Sequence, residues 1–190
     1  MSKIALEGNA SGIGTFTISA PNGNTDRTLV LPDEAGTVLT SAGVPASAMP
    51  AGSVIQVVNY SVQAGQTSIS TTGTWYDTPL SKSITPTSAT SKILVLVEQH
   101  HWAVGTNATV LVRLLRDATE ISSKGSGQYG ATMEVSVVGN FAYLDSPATT
   151  SAITYKTQCL LASGGTRMDI QTSRGGLLQR ASITLMEIAA

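Results

Sequence analysis

Three segments of the chain are apolar on both faces of an extended strand, and they limit the possible folds more than any other feature. The segments are Lys92 to Val97 (KILVLV), Val110 to Leu115 (VLVRLL) and Ile183 to Ile188 (ITLMEI). A strand of an antiparallel sheet normally turns one face to solvent and therefore alternates apolar with polar residues, as Ser151 to Leu161 does. The three two-faced segments need a second cover, and an adjacent copy of the chain would supply it.

Residues 53–190 carry the pattern of an all-β domain, because short segments rich in Val, Ile, Thr and Leu alternate with turn residues. Such a pattern is typical of an antiparallel β-sandwich or jelly roll. A helix is the alternative for residues 109–117, but Asp117-Ala118-Thr119 resembles a tight turn and favours a strand. The strand candidates are 53–60, 66–71, 80–85, 92–104, 109–116, 131–138, 151–162, 167–172 and 180–188.

Charged residues make up only 12% of the 190 residues, about half of the usual fraction of ~25%. A surface with so few charges favours burial against other copies of the chain, which again predicts a homo-oligomer. The net charge is -1 and no Lys/Arg run is present, so nucleic-acid binding is not expected. The single cysteine, Cys159, excludes an intrachain disulfide and is expected to be buried. No apolar run predicts a membrane span or a signal peptide, so synthesis in a cytoplasm is expected.

The chain divides into three predicted regions. Residues 1–42 contain short strands (14–20, 27–31 and 37–40) that are too few to form a core, so they are expected to intertwine with copies of themselves or to dock on a partner. Residues 43–52 form a linker stiffened by two prolines. Residues 53–190 form the main domain.

Residues 17–42 (TISAPNGNTDRTLVLPDEAGTVLTSA) closely resemble a segment common in bacteriophage tail-fibre proteins. Thr25 to Leu29, Leu31 to Thr37 and Leu39 carry the match. The main domain is similar to compact fibre-tip domains at Gly52 to Gln56 and at Leu115-Arg116-Asp117. The resemblance implies a homotrimeric, jelly-roll-like virion protein, docked to other virion proteins through residues 1–42. Long fibres carry an extended shaft, and none is expected in these 190 residues, which favours a short fibre or a decoration on the head.

Three functions fit these features. The first is a tail fibre or fibre tip whose distal domain contacts the host surface. The second is a capsid decoration or head spike, which needs the same fold and the same trimer. The third is a carbohydrate-binding or carbohydrate-active protein. In the first two cases the protein is located in the virion.

No catalytic residues or cofactors are predicted, and the chain is expected not to be an enzyme. Gly125 to Gly130 spells G-x-G-x-x-G, but a strand-like segment follows it where a dinucleotide site needs a helix. It therefore predicts a hairpin loop. Asp117 and Glu120 flank a predicted turn and are expected to be solvated loop charges.

His100 is the candidate metal ligand. On a continuous strand Glu98 and His100 share a face while His101 points away. One histidine from each of three subunits can form a ring around a trimer axis, which makes His100 a candidate for a shared site. The alternative is a hydrogen-bonded histidine near a subunit interface.

Three aromatic residues in turn-rich segments, Trp75, Tyr76 and Tyr129, are candidates for binding a host surface glycan. Aromatic rings stack on the faces of sugars, and loops at the tip of a rigid domain often carry binding residues. The alternative is that Trp75 and Tyr76 close the end of the sandwich. Trp102 is expected in the core.

Overall fold

A computed structural model describes residues 11–15, 17, 22–26, 28, 44, 48–63, 67–127, 130, 133–170 and 180–190. The chain divides into two units, residues 1–38 and 39–190. The described residues of the first unit are exposed and lie outside any strand. The remainder of the predicted anchor 1–42, and most of its three strands, lie outside the described residues, so the intertwining of this region stays a prediction.

The described part of the second unit is built from ten strands and contains no α-helix. The all-β prediction is therefore confirmed, and residues 109–116 belong to a strand. The strands are β1 (Val54–Val62), β2 (Thr67–Ile69), β3 (Trp75–Ile84), β4 (Lys92–Glu98), β5 (His100–Arg116), β6 (Thr119–Gly127), β7 (Met133–Val138), β8 (Phe141–Asp145), β9 (Ile153–Ile170) and β10 (Ala181–Ile188).

The strands form two sheets, and every pairing between named strands is antiparallel. Sheet A has four strands in the order β1-β10-β4-β8. Sheet B has six strands, with β9 and β5 at its centre. The side of β9 that faces away from β5 pairs with β2 and β3. The side of β5 that faces away from β9 pairs with β6 and β7.

Alternate residues of both sheets meet in one hydrophobic core. Ile93, Val95 and Val97 of β4 contribute from sheet A, and alternating apolar residues of β5 and β9 contribute from sheet B. Each large aliphatic side chain buried in this way contributes about 1.5–3 kcal/mol. The two sheets therefore form a β-sandwich. Cys159 is fully buried, as predicted, and burial together with the nearby charge of Asp77 raises the pKa of its thiol to about 12.

Asp145 of β8 links sheet A to sheet B at one end of the core. The Tyr155 hydroxyl of β9 donates a hydrogen bond to Asp145 Oδ2 over 2.6 Å. Arg116 Nη1 of β5 lies 3.0 Å from Oδ1 and 2.9 Å from Oδ2 of the same carboxylate. Tyr155 is fully buried, and burial and the hydrogen bond to Asp145 raise the pKa of its phenol.

Strand boundaries differ from the predictions where glycines and breaks occur. The predicted strand 92–104 is interrupted at Gln99, whereas β5 and β9 each continue through a segment that was predicted to be a loop. Gly105 has a φ of +149° and Gly164 a φ of +66°, which permits a bulge in both strands. A Cβ at Gly105 would overlap the carbonyl oxygen of Gly164, and a Cβ at Gly164 would overlap that of Asn107.

Two strands were not predicted at all. β6 is polar along most of its length because it is an edge strand, and β8 has only five residues. β3 was predicted to begin at residue 80 but begins at Trp75. The register with β9 shifts between Asp77 and Ser81, which interrupts the alternation of apolar and polar residues. The first half of this strand was therefore not recognised in the sequence.

Candidate functional site

A row of polar side chains crosses four strands on the outward face of sheet B. Asp77 of β3 pairs with Gln158 of β9, Gln158 pairs with Arg113 of β5, and Arg113 pairs with Ser123 of β6. The neighbouring core residues point inward, so these four side chains project from the opposite face. We call Trp75, Asp77, Arg113, Glu120 and Gln158 the Trp75 cluster.

Hydrogen bonds orient each polar member of the Trp75 cluster against the next one. Gln158 Nε2 donates to Asp77 Oδ1 over 2.8 Å. Gln158 Oε1 accepts from Arg113 Nε over 2.8 Å and from Nη2 over 2.6 Å. Arg113 Nη1 donates to Glu120 Oε2 over 3.1 Å. Hydrogen bonds from Gln158 and from Lys156 hold the pKa of Asp77 below its ordinary value.

The guanidinium of Arg113 also stacks on Trp75, with its central carbon 4.1 Å from the ring centroid. A cation–π contact at a partly exposed site contributes about 0.5–1 kcal/mol. The side chain of Arg113 is only 23% exposed, because its neighbours cover it from several sides. The indole is therefore fixed on the surface of the sheet by a side chain that is itself held in place.

The structure separates two of the three aromatic candidates. Trp75 belongs to the cluster on the outward face, whereas Tyr76 points to the other side of β3 and packs against the hydrophobic core. Tyr129 lies outside the described residues. Trp75 and Tyr76 thus do not form one aromatic patch, and the glycan-binding prediction rests on Trp75 alone among the described residues.

The outward face of sheet A is different, because an apolar row crosses all four of its strands. Val57 of β1 pairs with Met186 of β10, Met186 with Leu94 of β4, and Leu94 with Leu144 of β8. We call these four residues the apolar row. Val57 is 53% exposed and Leu144 is 51% exposed. The second apolar face of β4 and β10, noted in the sequence, is this surface.

The two charged ends of β4 lie on the same face as the apolar row. Lys92 and Glu98 are exposed and stand on either side of Leu94 and Leu96. The face therefore has an apolar centre with one positive and one negative rim. This arrangement is typical of a protein–protein interface, in which charges lie at the rim and apolar side chains at the centre.

Glu98 and His100 do not share a strand face, so that part of the metal hypothesis is wrong. Glu98 ends β4 in sheet A, and His100 begins β5 in sheet B, because the strand breaks at Gln99. His101 points into the core and is 1% exposed. No group of three or more potential metal ligands occurs within the described parts of the chain. A ring of His100 side chains in a trimer stays a prediction.

The acidic residues and glycines that were noted in the sequence between residues 117 and 127 lie in a turn and in strand β6. Asp117 forms a turn with a φ of +52°, and its Oδ1 accepts a hydrogen bond from the Thr154 backbone over 2.9 Å. Glu120 lies on β6 and pairs with Arg113. Both residues had been predicted as solvated loop charges. Asp117 is exposed in the turn, as predicted, whereas Glu120 belongs to β6 because of the register of this strand with β5. Gly125 and Gly127 lie in β6, and β7 is the next strand.

Sequence reasoning missed Arg113, Gln158 and Asp77. These residues are 36 or more positions apart, and only the cross-strand register brings them into one row. The signal that was available is the arginine within the apolar segment VLVRLL, since a charge in such a strand requires partners.

The described residues include no helix that is long and apolar enough to cross a membrane. No protein-family model matches the chain, and no curated protein matches it.

Several solved structures of infectious bursal disease virus are similar to 73% of the chain. The Gt strain structure has a TM-score of 0.41 and 13% identity, with 39% of that chain covered. The T=1 particle structure has a TM-score of 0.42 and 14% identity, with 37% covered. The VP2 subviral particle has a TM-score of 0.36 and 14% identity, with 39% covered. The chain spans about two fifths of the length of these proteins.

Proposed function

We propose that the protein is a non-enzymatic structural subunit of a bacteriophage particle, a homotrimeric tail fibre or fibre tip whose main domain contacts the host surface. The observation that carries the proposal is the exposed apolar row across sheet A. Monomeric proteins rarely expose a continuous apolar face, and its usual cover is another protein surface. The phage assignment is supported by the tail-fibre resemblance of residues 17–42.

A jelly-roll connectivity is part of the proposal. With β2 and β3 counted as one position and β6 and β7 as another, the chain visits eight positions in two sheets. Numbered along the chain, their order is 1-8-3-6 in sheet A and 2-7-4-5 in sheet B. Early and late strands interleave in both sheets, as two Greek keys require.

The occupant of the apolar face is proposed to be a second copy of this chain. The low content of charged residues, 12%, leaves the chain few means of keeping a large free surface soluble. Lys92 and Glu98 at opposite rims give the face both signs of charge, so that a copy of the same domain offers complementary partners. In a cyclic trimer each subunit uses two different patches of its surface, and the apolar face would form one of them against the next subunit.

The acidic residues support a non-enzymatic role. Six carboxylates of the main domain each accept a hydrogen bond or form an ion pair with a structural neighbour. These are Asp77, Asp117, Glu120, Asp145, Asp169 and Glu187.

A capsid decoration or head spike is the alternative, since it needs the same domain and the same assembly. Cryo-electron microscopy of the intact particle distinguishes the two. Density at the tail with residues 53–190 outermost supports the fibre, and density on the capsid lattice supports the decoration.

The assembly is tested by mass photometry and sedimentation of the full chain. We expect a species of three times the 19.6 kDa of one chain. The double variant Val57→Lys/Leu144→Lys should shift this species towards the monomer, because it places two charges in the apolar row. The matched control is Ser81→Lys/Ser83→Lys, which adds the same charge to two exposed positions of β3 and should leave the mass unchanged. A monomeric or dimeric wild-type protein contradicts the proposed trimer.

A further inference from the structure

A cleft of about 160 Å³ lies on the outward face of sheet B beside the Trp75 cluster. It is lined by Trp75, Leu111, Glu120, Ser123, Lys124 and Gly125. The register pairs Leu111 with Gly125, and a Cβ at Gly125 would lie 2.8 Å from Leu111 Cδ2. Glycine at this position therefore gives the leucine side chain room and keeps the cleft open.

The cleft combines apolar and hydrogen-bonding groups. The indole of Trp75 and the side chain of Leu111 are its apolar lining, and the Ser123 hydroxyl and the Glu120 carboxylate are polar. Arg113 donates a hydrogen bond to Oε2 of Glu120. The side chain of Glu120 is 41% exposed, so a ligand in the cleft can reach its carboxylate. A few convergent polar groups beside an apolar wall are the usual composition of a small-ligand site.

The cations near the cleft already have partners. Arg113 donates through three of its nitrogens to Gln158 and Glu120 and stacks on Trp75. The Lys124 ammonium donates to the Asn140 carbonyl over 2.6 Å and lies 5.1 Å from the centroid of the Phe141 ring. Arg113 partly compensates the charge of Glu120. An anion in the cleft would still lie beside this half-exposed carboxylate and would find both neighbouring cations already engaged.

We propose that this cleft binds a single neutral or amino sugar ring and discriminates against acidic sugars. Arg113 covers one face of the Trp75 indole, and the apolar C–H face of a pyranose packs against the ring where it lines the cleft. Sugar hydroxyls or an ammonium group donate to Glu120, and Ser123 provides a further hydrogen bond. The volume of the cleft equals the volume that roughly five molecules occupy in liquid water, which suits one sugar ring and not an oligosaccharide.

The inference rests on the proposed host-surface role and names the chemistry of the ligand for it. A site of this size binds weakly, with a dissociation constant on the order of millimolar. Three copies in one trimer raise the avidity for a surface that displays many sugars.

The experiment is saturation-transfer-difference NMR on the full chain with methyl glucoside, glucosamine and methyl glucuronide. Methyl glucoside and methyl glucuronide differ in charge at one carbon, so their comparison isolates the effect of the carboxylate. We expect transfer to the first two sugars and about threefold weaker binding of the glucuronide, since the carboxylate is half-exposed and paired.

Two variants test the assignment. Trp75→Leu should abolish the transfer, whereas Tyr60→Leu, which removes an exposed aromatic ring of sheet A, should leave it unchanged. Glu120→Gln should bring the glucuronide close to the glucoside, because it removes the charge and keeps the size of the side chain. Urea midpoints near that of the wild type establish that each variant is folded.

Absence of transfer to all three sugars overturns the inference, as does equal binding of glucoside and glucuronide by the wild-type protein. A charge preference that Glu120→Gln leaves intact also overturns it. A trimer located at the tail that binds no sugar refutes the inference alone. A monomer that binds glucoside refutes the proposed assembly alone.

Discussion

Lowering the pH from 7 to 5 should destabilise the sandwich through His101. This residue lies on β5 and points into the core, where it is 1% exposed. Neither ring nitrogen has a hydrogen-bond partner within the described residues. Burial, and to a smaller extent the charge of His100, lowers the pKa of His101 from 6.5 to about 4. The folded protein therefore keeps this imidazole neutral at a pH at which the unfolded chain protonates it.

The magnitude follows from the two pKa values. Between pH 6.5 and 4 the unfolded state binds more protons than the folded state, so the free energy of unfolding falls as the pH falls. Each unit of difference in pKa corresponds to about 1.4 kcal/mol, so the full loss is about 3 kcal/mol. The loss starts near the unfolded pKa and is complete near the folded pKa. About 2 kcal/mol of it should have occurred by pH 5.

Urea unfolding of the full chain, followed by tryptophan fluorescence at one fixed protein concentration, measures this loss. The variant His101→Met has a similar volume and no titrating group, so its free energy of unfolding should change about 2 kcal/mol less between pH 7 and pH 5. His100→Gln is the control, because it retains the buried imidazole and should keep most of the wild-type dependence. The reasoning is refuted if His101→Met loses as much stability as the wild type over this interval.

Three further predictions concern the core and the bulge. Asp145→Ala removes the partner of the buried Tyr155 hydroxyl and should lower the free energy of unfolding by about 3 kcal/mol, measured by urea unfolding; a loss below about 1 kcal/mol contradicts the structural link. Gly164→Ala should destabilise more than Gly73→Ala, because both have a positive φ but only Gly164 lacks space for a Cβ; equal melting temperatures would contradict this. Cys159 should react with a thiol reagent only after unfolding, and rapid modification of the native protein would show that its burial is wrong.

Alternation along the chain was sufficient to predict much of the sandwich. Ile153, Tyr155, Cys159 and Leu161 were expected on one face, and all four are buried in the core. The two-faced pattern of β4 and β10 was also informative, since its second face is the outward surface of sheet A. These predictions succeeded because period and hydrophobicity are local properties that each strand carries by itself.

The candidate site was less accessible to sequence reasoning. Trp75 was recognised as an aromatic residue, but its partners Arg113 and Gln158 lie on other strands. Their proximity depends on register, and a shift of one residue would turn Arg113 towards the core. Sequence alone fixes neither the bulge at Gly105 nor the break at Gln99, and both determine this register.

The two outward faces of the sandwich differ in the charged side chains that they carry. On sheet B the charges are partnered: the Arg113 guanidinium is engaged by Gln158, Glu120 and Trp75. Burying the Arg113 guanidinium under another protein gains little, because it already has protein partners and would only lose water. On sheet A the centre is apolar and gains free energy when it leaves water. The proposed assembly therefore buries sheet A and leaves sheet B in solvent, and in this arrangement the cleft beside Trp75 stays open to a ligand.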